Sequence, residues 1–154
     1  MLKNSDIIIF SGIDWDMQWQ WQQELAIRLS KNNRVLFIEN TGVRSMRLKD
    51  AGRVINRVKN FFKSSYGFRQ VNSSLAVYSP IFLPFPYVKI VSWLNSLIIN
   101  SFLSSWFVNT KFNCKQIFTF ISTPLTIDLI DKIPHDNKAF LYTDNMPKAS
   151  SSAN

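Results

Sequence analysis

One cysteine, one histidine and four glycines in 154 residues leave few ways to build a disulfide framework, a metal centre or a phosphate-cradling loop. Cys114 has no second cysteine to pair with and cannot alone make a structural metal site, so it reads as a small buried hydrophobe in a reducing cytoplasm. The glycines, Gly12, Gly42, Gly52 and Gly67, are scattered and nowhere form G-x-G-x-x-G, and no Walker loop is present. NAD and ATP binding of the usual kinds are therefore disfavoured, and no cofactor is expected. His135 lies between Pro134 and Asp136 in what reads as a surface loop, which suits no catalytic role.

Long apolar runs are also missing. The run near the N-terminus, Ile7-Ile8-Ile9-Phe10, has four residues where a signal-peptide core has about seven to fifteen, so export is not expected. From Tyr87 to Thr110 the apolar positions Val91, Leu94, Ile98, Phe102 and Trp106 recur at helical spacing, but serines and asparagines interrupt them. A membrane span wants about twenty predominantly apolar residues, so this segment reads as a packed or interfacial helix.

Acidic residues are few, 10 against 18 Lys and Arg, for a net charge of +8. The excess is concentrated. Between Arg44 and Arg69 stand Arg44, Arg47, Lys49, Arg53, Arg57, Lys59, Lys63 and Arg69 against Asp50 alone. Within that window Leu48, Ala51, Ile55, Val58 and Phe62 repeat at helical spacing, which predicts a basic surface helix. Such a helix suits an anionic partner, and Arg47, Lys49, Arg53, Arg57, Lys59 and Lys63 are its candidate contacts to a membrane surface. Nucleic acid is the poorer partner, because the tryptophans lie outside the basic window and no nucleic-acid motif is present.

The remaining pattern alternates strands and helices. Asp6–Ser11, Arg34–Glu39, Leu75–Ser79, Gln116–Ile121 and Ala139–Thr143 read as strands. Gln18–Lys31, the basic segment, Tyr87–Thr110 and Thr123–Ile133 read as helices, the last with Pro124 in its first turn. This order predicts an α/β fold: a Rossmann-like three-layer domain with a mostly parallel sheet, one domain over residues 1–147, and a flexible tail over 148–154.

In such sheets ligands bind at the carboxyl ends of the strands. Three tryptophans and two aspartates crowd the loop there, in Gly12-Ile13-Asp14-Trp15-Asp16-Met17-Gln18-Trp19-Gln20-Trp21. Helical spacing places positions 19, 22, 26 and 29 on one face, so Trp19 and Gln22 are expected to extend the stripe of Ala26 and Leu29 into the cleft. After the second strand, Thr41, Gly42 and Arg44 can hold an anionic group by a backbone turn and a guanidinium; a plain turn is the alternative. Thr123, at a helix entrance, offers a hydroxyl to ligand or to its own helix as a cap. Asp14-Trp15-Asp16 spells D-x-D, but without a neighbouring cluster of oxygen ligands no metal is expected.

Several segments together carry a resemblance: Ser11-Gly12-Ile13-Asp14-Trp15-Asp16, Trp19-Gln20 with Gln23-Glu24, Val35 through Arg44, Tyr78-Ser79-Pro80 with Leu83-Pro84-Phe85-Pro86, and Thr123-Pro124. From about Asp6 to Asn145 the chain resembles the N-terminal half of bacterial GT-B glycosyltransferases of cell-surface polysaccharide assembly. The turn Tyr142-Thr143-Asp144-Asn145 departs from the Tyr-x-x-Asp-Asp pattern of that group. The resemblance implies an acceptor-side domain, with a C-terminal domain that would grip the nucleotide sugar absent, so that the chain alone would be inactive. It implies a glycan or lipid-linked acceptor and a site on the cytoplasmic face of the membrane. On this reading Asp14 and Asp16 accept hydrogen bonds from sugar hydroxyls while Trp15 and Trp19 present ring faces; a helix cap at Asp16 and core packing of the tryptophans are the alternatives. No residue is assigned as the catalyst. A non-catalytic anion- or membrane-binding domain that lost its donor half is the competing expectation.

Overall fold

A computed structural model of the chain describes residues 2–16, 18–39, 66–81, 83, 88–121 and 123–141. Thr41, Gly42, Arg44, the basic helix with Arg47, Lys49, Arg53, Arg57, Lys59 and Lys63, and the tail 148–154 lie outside these residues.

The apolar run near the N-terminus forms β1 (Asp6–Phe10), in which every residue is buried. A strand without a polar face must be covered on both sides, and it is. Ile8 and Phe10 pack with one cluster and Ile7 and Ile9 with another. The chain continues through α1 (Trp21–Ser30), β2 (Arg34–Ile38), β3 (Phe68–Asn72), β4 (Leu75–Tyr78), α2 (Lys89–Thr110), β5 (Cys114–Thr119), α3 (Pro124–Lys132) and β6 (Asn137–Phe140). Helices α2 and α3 cover one face of the sheet through Ile99, Leu103, Leu125 and Leu129, and α1 covers the other through Ala26. Each fully buried Ile or Leu contributes about 2 kcal/mol of transfer free energy.

The sheet order is β3-β4-β2-β1-β5-β6. All pairings are parallel except β3 with β4, which is antiparallel. This is the Rossmann-like, mostly parallel architecture expected. The order grows from β1 outward through β2 and β4, then restarts on the other flank of β1 with β5, so the switch point of the topology lies between β1 and β5.

Three expectations are corrected. Five strands were expected and the described residues form six. The additional one, β3, forms a hairpin with β4 and takes Arg69 out of the basic segment and into the sheet. The first helix begins at Trp21 rather than Gln18, because Gln20 is extended and its N–H donates to the Gln23 side-chain oxygen at 2.8 Å. Trp19 therefore precedes the helix and does not share its stripe. The last strand begins at Asn137, two residues before the expected Ala139, in register with Gln116 of β5.

At the amino edge Arg34 ties strands to helix. Its Nε donates to Asp6 Oδ1 at 2.7 Å, Nη2 also meets Asp6 Oδ2, and the guanidinium reaches the carbonyls of Thr110 and Lys111 at 3.0 and 2.8 Å. A cation thus sits on the negative end of α2, where the helix dipole favours it. On the opposite flank Lys132 bonds Ser96 and Asp128, each at 2.8 Å, and so fastens α3 to α2.

Candidate functional site

Along the carboxyl edge, apolar strands give way to buried polar residues: Ser11 after β1, Glu39 after β2, Ser79 after β4 and Thr119 at the end of β5. Buried polar groups are costly without partners, so each shapes the loop that follows it. The Ser11 hydroxyl donates to Gln22 Oε1 at 2.7 Å, and the same oxygen accepts from the Gly12 N–H at 3.2 Å. Gln22 is consequently buried, holding the loop to α1 rather than facing the cleft as expected. Gly12 stands at the switch point, where an added Cβ would lie 3.1 Å from the Ile121 side chain. The loops after β1 and β5 therefore press together, and a side chain at position 12 would force them apart.

Glu39 organises the other half of the rim. Its Oε1 accepts from the Trp15 N–H at 2.9 Å and from Arg69 Nη2 at 3.2 Å, while Arg69 Nη1 pairs with Asp16 Oδ2 at 2.8 Å. Burial pushes the Glu39 carboxyl above the usual glutamate range and the Asp14 charge adds to that; bonds from Ser79 and the Trp15 N–H, with the Arg69 charge, oppose it. Arg69 Nε is buried and without a hydrogen-bond partner among the described residues. Asp16 is thus held by Arg69 and does not cap α1, whose N-cap is Gln20.

The aromatic residues divide by task. Trp15 is half-buried, its ring edge-on to Phe37 at 4.9 Å, and so contributes to packing. Trp19 is 56% exposed and meets Trp15 edge-on at 5.9 Å. Trp21, which sequence reasoning did not select, is 43% exposed and rests edge-on against Phe120 at 4.6 Å. Large rings left in water beside a packed partner are pre-oriented for an apolar ligand face. Thr123 follows β5 on the same edge; its hydroxyl accepts the Thr126 N–H at 3.1 Å and caps α3. Asp14, Trp15, Asp16, Trp19, Gln22 and Thr123 thus all lie on one edge of the sheet, with Asp14, Trp15 and Asp16 gathered around Glu39 and Arg69.

No protein-family model, curated protein or solved structure matches the chain. What the rim can do is set by its own side chains. It offers carboxylates at Asp14 and Asp16, a guanidinium and two exposed indoles, a set suited to hydroxyl-rich ligands with one apolar face. Among the described residues no three His, Cys, Asp or Glu come together as a metal would require. Cys114 is buried and its thiol is pushed up to about 12 by burial, which gives it no nucleophilic role. His135 Nδ1 lies 2.7 Å from the Ile133 carbonyl.

A cleft of 630 Å³ opens at the opposite edge, lined by Asn4, Asp6, Lys31, Asn33, Arg34 and Lys115 among others. Several of its polar groups are already engaged: Asp6 by Arg34 and the Asn113 N–H, and Asn33 by Ser5 and Leu29. Its size follows from strand starts and a helix end meeting at the amino edge, where sheets of this type rarely bind ligands.

Proposed function

We propose that this chain is the acceptor-side half of a GT-B glycosyltransferase, which transfers a sugar from a nucleotide-sugar donor to a cell-surface glycan or lipid-linked acceptor at the cytoplasmic face of the membrane. The observation that carries the reading is the exposed Trp19 ring, backed edge-on by Trp15, beside the carboxylates of Asp14 and Asp16 at the carboxyl edge of the sheet. A pyranose has one apolar face and a belt of hydroxyls. An indole covers the first and carboxylates accept from the second.

Transfer also needs a neutraliser for the departing nucleotide diphosphate, and the proposal assigns that to a second α/β domain facing this one. The present domain orients the acceptor hydroxyl. This domain should therefore bind acceptor saccharides on its own.

The test is tryptophan fluorescence of the full chain titrated with bacterial surface oligosaccharides and, separately, with nucleotide sugars. Saturable quenching by an oligosaccharide, lost in Trp19→Ala and weakened about tenfold in Asp14→Asn, is the expected result. Quenching by nucleotide sugars alone, or an unchanged response in Trp19→Ala, would refute the acceptor-side assignment.

A further inference from the structure

Two exposed indoles, not one, stand on the carboxyl edge, and their supports lie on different strands. Gln20 between them is extended, with φ −131° and ψ 169°, and residues that flank an extended one project to the same side. Trp19 and Trp21 therefore share a side of the chain. Trp19 is braced by Trp15, which rests on Phe37 of β2; Trp21, the first residue of α1, is braced by Phe120 just after β5. Phe37 and Phe120 belong to the same packed face of the sheet, and β2 and β5 flank β1. The two supports are thus two strand spacings apart, about 10 Å. The Phe120 N–H donates to the Phe10 carbonyl at 2.9 Å, which sets Trp21 over the switch point between β1 and β5, the crevice where open α/β sheets take their ligands.

That span decides what can lie on both rings. A six-membered ring of bonds about 1.5 Å long is only about 3 Å across, so one pyranose covers one indole and leaves the other bare. Linked sugars bring a second apolar face to the second ring. Charge points the same way. Asp14 and Asp16 flank Trp15 in the sequence, and the Trp19 side chain also meets the Glu24 carboxylate. The cations tied to this loop already hold carboxylates: Arg28 holds Glu24 at 2.7 Å, and Arg69 holds Asp16 at 2.8 Å and Glu39 at 3.2 Å. Sugar hydroxyls donate to such carboxylates. A single-stranded nucleic acid, which also stacks on successive aromatic rings, brings phosphates that they repel.

Building on the acceptor-side reading, we propose that Trp21 is a second saccharide subsite and that the acceptor is a chain of at least two sugars, one unit resting on Trp19 beside the carboxylates and another on Trp21 over the switch point.

Isothermal titration of the full chain with mono-, di-, tri- and tetrasaccharide fragments of bacterial surface polysaccharides tests it. A fragment of two to four units is expected to bind at least about tenfold tighter than the monosaccharide. Trp21→Leu keeps apolar bulk on Phe120 without a flat face, and should abolish that gain while leaving monosaccharide affinity unchanged. Trp21→Phe keeps a ring and should retain most of the gain, whereas Trp19→Ala should weaken binding at every length. Unchanged far-UV circular dichroism spectra certify the fold of the variants. Equal affinity at all lengths, or a gain that survives Trp21→Leu, overturns the second subsite and leaves acceptor binding in place. No binding of any length by the parent refutes the acceptor-side reading itself and the second subsite with it. Binding of single-stranded oligothymidylate in place of saccharide, lost in Trp19→Ala and Trp21→Leu, also overturns it, by giving the rings to nucleic-acid bases.

Discussion

Replacing Glu39 separates the two jobs of its buried carboxylate. The residue is 4% exposed, and its Oε1 accepts from the Trp15 N–H and from Arg69. Glu39→Ala leaves the Trp15 N–H without its acceptor, which costs about 1–3 kcal/mol for one partly buried donor, and it adds a small cavity. Arg69 keeps Asp16 and contributes little more. A total of about 2–3 kcal/mol is expected. Glu39→Gln retains an acceptor oxygen and should cost less than about 1 kcal/mol at neutral pH. The pH dependence carries the sharper test. The folded carboxyl titrates above its unfolded value, because burial disfavours the charge. The folded state therefore holds the proton more tightly, and this group's contribution is fully present below the unfolded value and is lost as pH rises through the folded one. Urea unfolding followed by tryptophan fluorescence at pH 4, 5.5 and 7, values chosen around the ordinary glutamate value of about 4.3, should show the Gln variant gaining on the parent as pH rises. If the Gln variant instead loses ground with rising pH, the Arg69 charge outweighs burial and the account of Glu39 is wrong.

Three further substitutions probe the frame of the sheet at both its edges. Tyr78 is fully buried with no hydrogen-bond partner for its hydroxyl among the described residues, so Tyr78→Phe should leave stability unchanged or raise it by up to about 1 kcal/mol in chemical denaturation; a larger loss would mean that the hydroxyl is bonded. Gln22→Ala removes the acceptor shared by Ser11 and Gly12 and should cost about 1–3 kcal/mol while speeding hydrogen exchange at the Gly12 amide. Arg34→Ala parts the mostly buried Asp6 carboxylate from its guanidinium and frees two carbonyls at the end of α2, for about 2 kcal/mol in thermal or urea unfolding.

The buried strands were legible because every residue after the first is apolar. Asp6–Phe10 and Arg34–Ile38 carry their assignment in composition, since no other element of that length can hide both faces. The edge strand β3 was not legible, for the opposite reason: in Phe-Arg-Gln-Val-Asn only Phe68 is buried, so no alternation marks it. The left-handed pair Tyr66 and Gly67 before it and the Asn72-Ser73-Ser74 turn after it were the available signals. Helix α1 was extended too far because Trp19 fits its period, although Gln20 stops the helix through a side-chain bond that spacing cannot reveal. Glu39 escaped selection because it reads as the end of an apolar strand, and Arg69 because it reads as one more charge in a basic stretch. Their partnership depends on β3 folding back beside β4, a long-range pairing that local pattern does not encode. An acidic residue closing a fully apolar strand is the clue that would have found Glu39.

The most direct measurement of the central claim, that the carboxyl edge around Trp15 and Trp19 is where a saccharide binds, is a ¹⁵N–¹H correlation spectrum of the full chain titrated with an acceptor oligosaccharide. The account predicts that the Trp19 indole N–H and the backbone amides of Gly12, Asp14 and Trp15 shift together and saturably, while Asn4, Asn33 and Asn113 at the opposite edge stay in place. Saturable shifts confined to that opposite edge, or none anywhere, would contradict it.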